Sequence, residues 1–307
     1  MRHSRGEGGH VIDVHLIVVS YRSASEVEQL LTSVPDSVGE LSWGATIVNN
    51  DRAEDLAAVL SLGPEVDLID APDNVGYAGG INIALASARP SRWTVFLNPD
   101  VRLGPGALSR MAHHAGDRHA VVPLILDDHG SPQHSLRREP SLVRAIGDAF
   151  LGEHWPSRPG VLSETIRDPS TYRRSRVVDW ATGAVLMVPT AIVQQVGPWD
   201  ETRFFLYSEE TDYCRRLRVQ GVSVHFLPDA MVTHRGGASG SSDALHALME
   251  VNRVRYFRKW HGPVPSAAFH AVTAIGSLLR ARRPRSRAAL RALVHHGTRT
   301  ALPGGTR

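Results

Sequence analysis

VHLIVVSYRSASEVEQLL, residues 14–31, is the stretch that decides the fold. Val14 to Val19 form a short apolar, β-branched run that Ser20-Tyr21 ends, and Ser25 with Glu28 reads as a capping box opening an apolar-periodic helix. That is a strand, a loop and a helix, and the unit recurs. Ala45 to Val48 (ATIV) runs into Asn49-Asn50-Asp51 and a helix through Asp55 to Leu60. Val66 to Ile69 (VDLI) runs into Asp73-Asn74-Val75-Gly76-Tyr77 and a helix from Gly80 to Ala88. Thr94 to Leu97 (TVFL) runs into Asn98-Pro99-Asp100, and Pro105 opens another helix where its missing N–H costs nothing. Four β-α units in about a hundred residues predict an α/β fold with a mostly parallel, doubly wound sheet. Ligands of such sheets sit beyond the carboxyl ends of the strands, where Ser20, Asn49, Asp73 and Asn98 to Asp100 all fall.

Outward from this block, 307 residues with 42% apolar and 21% charged side chains describe a globular chain and exclude collagenous, coiled-coil or wholly disordered architectures. The single cysteine, Cys214, excludes an intramolecular disulfide framework and fits a reducing compartment. MRHSRGEGGH, residues 1–10, has no apolar stretch of a secretory signal and is expected to be disordered; no 18-residue run is apolar enough to predict a membrane span. The net charge of +3 hides an asymmetry. Residues 251–307 hold twelve of the 34 Lys and Arg and none of the 31 Asp and Glu, so the body is acidic and the tail strongly basic.

Periodicity is lost from Asp127 to Arg176, an excursion with one or two short helices at most. A second ordered block follows: strand material from Val177 to Val188 broken at Thr182-Gly183, a short helix from Thr190 to Val196, a helix from Glu209 to Gln220, and a strand from Val222 to Leu227 leading to His234. Its first helix turn carries acids and its later turns arginines, as the helix dipole favours. The turn after the first strand lacks Gly-x-Gly-x-x-Gly, and neither a P-loop nor a Gly-x-Ser-x-Gly elbow occurs, which argues against redox, ATP-hydrolysis and serine-hydrolase chemistry. Asp100, directly after an apolar strand, can serve as a ligand for a hard divalent cation on a diphosphate, although Asn-Pro-Asp alone is also a common turn.

Seven stretches in order resemble family-2 glycosyltransferases of the GT-A fold, the branch with LNPD in place of Asp-x-Asp that includes many bacterial rhamnosyltransferases. They are IVVSYRS (17–23), IVNND (47–51), DNVGYAGGIN (73–82), FLNPDV (96–101), WATGAVLMVP (180–189), VGPWDETRFFLYSEETDYCRRLRVQG (196–221) and VTHRGGAS (232–239). The resemblance implies a glycosyltransferase domain over 11–242, with a nucleotide-binding half (11–125) and an acceptor and catalytic half (177–240), followed by a basic helical extension over 243–307. It implies donor contacts from Ser20, Tyr21, Asn49, Asp51, Asp73, Asn74, Gly76, Gly79, Asn98 and Asp100. Asn49 stands where the family usually has an Asp that reads the base, and Gly79-Gly80 is expected to let backbone approach the ligand.

The same resemblance makes Glu210 the base that deprotonates the acceptor hydroxyl, with Glu209 beside it and Asp212 as runner-up. Asp100 and His234 are implied to hold Mg²⁺ or Mn²⁺, Trp180, Gly183 and Ala184 to floor the sugar pocket, and Trp199 and Asp200 to contact the acceptor or brace the loop. Cys214 is expected to be a small core residue. An inverting displacement then needs no carboxylate nucleophile. The implied partners are a nucleotide-diphospho-sugar, dTDP-rhamnose first, and a glycan or lipid-linked acceptor; the other reading is a non-catalytic sugar-nucleotide-binding or regulatory protein of this fold. In the tail, 243–260 reads as a helix, and Phe269, Val272, Ile275 and Leu278/Leu279 fall on one stripe before RARRPRSR. Apolar stripe plus cationic flank suits an anionic membrane surface, with packing on the domain as the alternative, and predicts a cytoplasmic protein peripheral on the inner membrane face. No nucleic-acid motif is present.

Overall fold

The structure is a computed structural model that describes residues 11–304 apart from Pro64, Glu153 and 235–241. The N-terminal segment 1–10 and the glycine-rich loop after His234 lie outside the described residues. Along the first 126 residues run β1 (Ile12–Ser20), α1 (Ala24–Thr32), α2 (Val34–Val38), β2 (Trp43–Asn49), β3 (Val66–Asp70), α3 (Gly76–Ser87), β4 (Ser91–Leu97), β5 (Val101–Leu103), α4 (Ala107–Ala115) and β6 (Ala120–Leu126). The excursion contributes β7 (Leu136–Arg137) and α5 (Leu142–Phe150). The second block holds β8 (Arg176–Val178), β9 (Trp180–Ala181), β10 (Val185–Pro189), α6 (Thr190–Val196), α7 (Glu209–Val219) and β11 (Val224–His234). The tail is helical: α8 (Asp243–Trp260), α9 (Pro263–Leu279), α10 (Pro284–Val294) and the short α11 (His296–Thr300).

The main sheet runs β3-β2-β1-β4-β10-β6-β11-β5, with β8 paired to β11. β3, β2, β1 and β4 are parallel; β10 then enters antiparallel between β4 and β6, while β11 runs parallel to β6 and antiparallel to β5. The apolar runs are continuous because both faces are covered. On β1, Val14, Leu16 and Val18 enter one core with Leu30 and Leu31 of α1 and Met111 of α4, while Ile17 and Val19 enter the opposite core with Ile81 of α3 and Tyr213 of α7. Cys214 is buried in that second core, as a small core residue should be.

Several local expectations are corrected. The Ser25–Glu28 capping box does not form: α1 begins at Ala24, Ser25 bonds Glu26, and the Ala24 N–H donates to Glu54 Oε1 from the loop after β2. A carboxylate from a distant loop therefore caps this helix. Residues 57–61 form a 3₁₀ turn in place of the helix expected over 55–60, and α3 starts at Gly76, four residues before the expected Gly80. Pro105 precedes α4, whose N-cap is the left-handed Gly106.

α8, α9 and α10 pack with α5 into a helical layer that has its own core, in which Phe257 stacks on Phe269 at 4.1 Å. The expected α9 stripe is split by this packing. Phe269 is buried and Val272 half-buried, whereas Ile275, Leu278 and Leu279 face outward beside exposed Val143, Ile146 and Phe150 of α5. No helix among the described residues is long and apolar enough to cross a membrane.

Candidate active site

The two halves of the sheet meet at the LNPD turn. The Asn98 N–H at the end of β4 donates to the Ala184 carbonyl at 2.9 Å, which ties the turn to the Thr182-Gly183 break before β10. Gly183 lies directly against Glu210: a Cβ there would stand 3.4 Å from Glu210 Cβ. Asp100 is buried, and the antiparallel pairing of β5 with the end of β11 brings His234 Nε2 to 3.1 Å from Asp100 Oδ1. Among the described residues no group of three His, Cys, Asp or Glu converges. A hard divalent cation on a diphosphate uses only one or two protein carboxylates, the rest of its shell being water and phosphate oxygen, so the Asp100–His234 donor set fits Mg²⁺ or Mn²⁺.

Glu209 and Glu210 open α7 with their carboxyls turned inward, Arg137 being the cation whose field reaches Glu210; among the described residues Glu209 Oε2 and Glu210 Oε2 have no hydrogen-bond partner. Burial raises both carboxyls above the usual glutamate range, and the neighbouring Glu210 charge raises Glu209 further. Tyr77 reports on the whole constellation. Burial pushes its phenol up, and the charges of Glu209, Glu210 and Asp100 push it further, so two distant parts of the chain act on one phenol. The turn leading into α7 is strained: Tyr207 and Ser208 both have φ of +70°, outside the range that suits residues with side chains. Buried Asn252 of α8 holds that turn by donating from Nδ2 to the Leu206 carbonyl at 2.8 Å and the Tyr207 carbonyl at 3.4 Å.

Glu210, not Glu209, lines a cavity of about 620 Å³ walled also by Trp180, Thr182, Gly183 and Arg137 and closed on its far side by α5, α8, α9 and α10. Trp180 thus sits at the cavity as expected, its Nε1 donating to the Arg138 carbonyl. Trp199 does not: it stacks on Tyr213 at 4.5 Å and meets Phe96 edge-on in the core below, so it supports the floor without forming it. Asp212 is also placed elsewhere. Its carboxylate accepts from Lys259 Nζ, Arg216 Nε and Trp260 Nε1, which leaves it no access to an acceptor proton. Asp200 shares Lys259, at 2.7 Å; burial alone would raise its carboxyl, but hydrogen bonds from Lys259, Thr202 and Arg203 hold it down at about 2. Of the two roles considered for Asp200, this geometry is that of a brace.

On the rim at the carboxyl ends of the parallel strands, Ser20 is buried and bonds Ser23 and Glu54, while Tyr21 is exposed. Asn49 departs from its expected role. Its amide donates to Asp70 Oδ1 and the Glu54 carbonyl, and its Oδ1 accepts the Asp51 N–H, so the side chain fastens β2 to β3. Asn50 beside it, overlooked in the sequence, is buried with Oδ1 unpartnered while Nδ2 donates to the Gly76 carbonyl. Asp51 pairs with Arg22, which lowers its carboxyl. Asp73 and Asn74 turn back onto the backbone of Asn74 and Gly76. The glycines of DNVGYAGG serve packing: a Cβ on Gly80 would strike Val19 at 2.7 Å, one on Gly79 would reach Val75 at 3.0 Å and Glu201 at 3.2 Å, and Gly76 (φ +79°) lies against the Phe205 carbonyl. Asn50, Tyr77, Arg137 and Asn252 are the site residues that sequence reasoning missed; only the position of Asn50 and Tyr77 inside matched motifs could have signalled any of them.

A parallel half joined through the LNPD turn to a mixed half that carries an acidic pair at the start of α7 matches the architecture of the GT-A fold. The chain belongs to glycosyltransferase family 2: the model described as Glycosyltransferase like family 2 matches residues 8–255. It is a glycosyltransferase, and its relatives include rhamnosyltransferases. It is 29% identical over 255 residues to the N-acetylglucosaminyl-diphospho-decaprenol L-rhamnosyltransferase of Mycobacterium tuberculosis, covering 78% of this chain and 82% of that one. The fold matches the mannosyltransferase PcManGT from Pyrobaculum calidifontis (TM-score 0.55, 14% identity, 97% of this chain and 85% of that one). It also matches GalNAc-T7 (TM-score 0.58, 13% identity), where 86% of this chain spans 54% of the other.

Proposed function

We propose that this enzyme moves L-rhamnose from dTDP-rhamnose to a hydroxyl of a lipid-linked or envelope glycan, inverting the anomeric centre, with Glu210 as the base. The observation that carries this reading is the Glu210 carboxyl: its Oε2 is buried without a partner among the described residues, on the wall of the cavity and against Gly183, whose neighbour Ala184 accepts the Asn98 N–H. A carboxylate raised above its usual range is a better proton acceptor near neutral pH than an exposed one. The Thr182-Gly183 turn leaves room over Glu210 for the acceptor ring, and Trp180 offers it an apolar face. Asp100 and His234 would hold a divalent cation, which when bound offsets charge developing on the leaving diphosphate. Donor selection falls to the rim of Ser20, Tyr21, Asp51, Asp73, Asn74, Gly76 and Asn98, with Asn50 Oδ1 as the acceptor available to a base N–H.

The sugar and acceptor are supported by the mycobacterial relative, whose own name specifies a rhamnosyl donor and a diphospho-decaprenol-linked acceptor. The outward apolar residues of α5 and α9, followed by the cationic start of α10, support seating on the inner face of an anionic membrane. The test is release of dTDP, with product mass, from a panel of dTDP-, UDP- and GDP-sugars in Mg²⁺ and in Mn²⁺. Rhamnose transfer that Asp100→Ala abolishes, with the fold intact by circular dichroism, supports the reading. Wild-type protein that turns over none of the donors refutes it.

A further inference from the structure

A second cavity, of about 140 Å³, lies in the helical layer on the opposite face of α8 from the Glu210 cavity. The two share no wall residue: Glu250, Arg253 and Tyr256 line the first, Val254, Arg255 and Arg258 the second. Arg255 and Arg258 of α8, His270 of α9, and His296 and Arg299 of α11 surround it, and no carboxylate of the described residues stands in its wall. The arginines bond only neutral groups. Arg255 Nη1 donates to Asn252 Oδ1 at 3.1 Å and the Arg203 carbonyl at 3.5 Å, Arg258 Nη2 to His270 Nδ1 at 3.1 Å, and Arg299 Nε and Nη2 to the Ala292 and Leu293 carbonyls. Arg203 and Lys259, which share an adjoining hollow with Arg255 and Arg258, already hold Asp200. Burial and the Arg299 charge lower the proton affinity of Arg255, and burial and the Arg258 charge lower that of Arg299, so like charges oppose one another here.

A guanidinium keeps its proton, so a cleft walled by one sign of charge gathers counter-ions. Those bonds leave Nε and Nη2 of Arg255, Nε and Nη1 of Arg258, and Nη1 of Arg299 without a partner among the described residues. His270 fixes one of the three forks: its Nε2 faces the Leu293 carbonyl at 3.0 Å, which can only accept, so Nδ1 is the acceptor that holds Arg258. Such planar forks match phosphate oxygens. Pockets that enclose a whole ligand run to roughly 300–1,000 Å³, so this smaller one takes a charged group and leaves the rest of its molecule outside. We propose that Arg255, Arg258 and Arg299, with His270 positioning Arg258, form a phosphate site in the tail layer, filled by a free phosphate compound or by the phosphate of a lipid headgroup. It goes beyond the glycosyl-transfer reading and does not depend on it. Arg255 also bears on Asn252, whose amide holds the Leu206 and Tyr207 carbonyls, so an occupant is linked through two side chains to the turn that opens α7.

The experiment uses the full chain in EDTA at constant ionic strength. Thermal melts are run against inorganic phosphate and glycerol 3-phosphate, and sedimentation against phosphatidylcholine vesicles with and without phosphatidylglycerol. Both phosphates are expected to raise the melting point saturably where chloride does not. Arg258→Gln combined with Arg299→Gln should weaken that binding about tenfold or more. Arg282→Gln combined with Arg285→Gln removes the same charge from exposed positions outside this cavity and should leave it unchanged. Arg299 also closes the carbonyl end of α10, so Arg258→Gln alone, at an exposed side chain, keeps the test valid if the pair unfolds. A matching loss of sedimentation with phosphatidylglycerol vesicles in the cavity pair, but not in the control pair, supports the site with a lipid headgroup as its source. Unchanged sedimentation beside weakened phosphate binding supports it with a soluble phosphate compound. No saturable shift with either phosphate, equal loss in the two pairs, or a cavity pair that binds phosphate like wild type overturns the site.

Discussion

As the proposed base, Glu210 faces two demands that pull in opposite directions, a raised proton affinity and a stable fold. Its folded-state pKa is raised by burial, so the native state binds the proton more tightly than the unfolded chain does; the cost is absent below about pH 4.5 and grows as pH rises through the folded value. Glu210→Gln is therefore expected to raise the melting point at pH 7, with the gain disappearing near pH 4.5, and to lower kcat by about 10²–10⁴-fold. Differential scanning calorimetry and dTDP release on the same samples check both halves. In the wild type kcat/KM should fall toward acid with a midpoint above the ordinary glutamate value. Asn49 gives a second residue-scale prediction. Because its amide faces Asp70 at 3.0 Å, Asn49→Asp would set two carboxylates together and cost about 1–2 kcal/mol in a urea melt at low salt, without improving nucleotide affinity. Motif matching paired Asp100 with His234, which do meet, because short, contiguous signatures carry them. It misread Asn49, Trp199 and Asp212, whose roles depend on partners 21, 14 and 47 residues away.

At the scale of elements, α7 begins in strain and α8 holds it there. Two consecutive residues at φ +70° aim Glu209 and Glu210 inward, and the Asn252 amide answers the carbonyls that this turn leaves over. Asn252→Leu keeps the volume but removes that donor. It is expected to cost about 1–3 kcal/mol and to depress kcat more than the KM for either substrate, which steady-state kinetics and a thermal melt would show. Lys259, bridging Asp200 and Asp212, fastens the same loop from the end of α8, so the tail helix is tied to the turn before α7 more closely than a boundary at 242/243 suggests. The sequence periodicity marked α8 to its last residue, because its polar caps are local, but no local signal reveals a single Asn reaching across to another loop. For α9 the outward leucines make the membrane reading testable: the double substitution Leu278→Asp with Leu279→Asp should leave the fold intact and abolish sedimentation with anionic vesicles. Equal partition of variant and wild type would leave packing as the sole purpose of the layer.

Across the whole molecule, the parallel half was legible because β1, β2 and β4 are apolar runs covered on both faces and each is followed at once by a polar rim residue. The mixed half was not, since β10 enters antiparallel between β4 and β6, a choice made by tertiary pairing that leaves no trace in a five-residue run such as VLMVP. That insertion is nevertheless what assembles the site, carrying the Thr182–Ala184 turn onto Asn98 and so bringing the Glu210 side of the chain to the Asp100 side. The account stands on that meeting. A crystal structure with dTDP and Mn²⁺, phased on the manganese anomalous signal, tests it most directly. The account predicts manganese bonded to Asp100 and His234, with the terminal phosphate turned toward Glu210 across a gap that one hexose can fill. Manganese or dTDP bound elsewhere, or a wall of protein between the phosphate and Glu210, would contradict it.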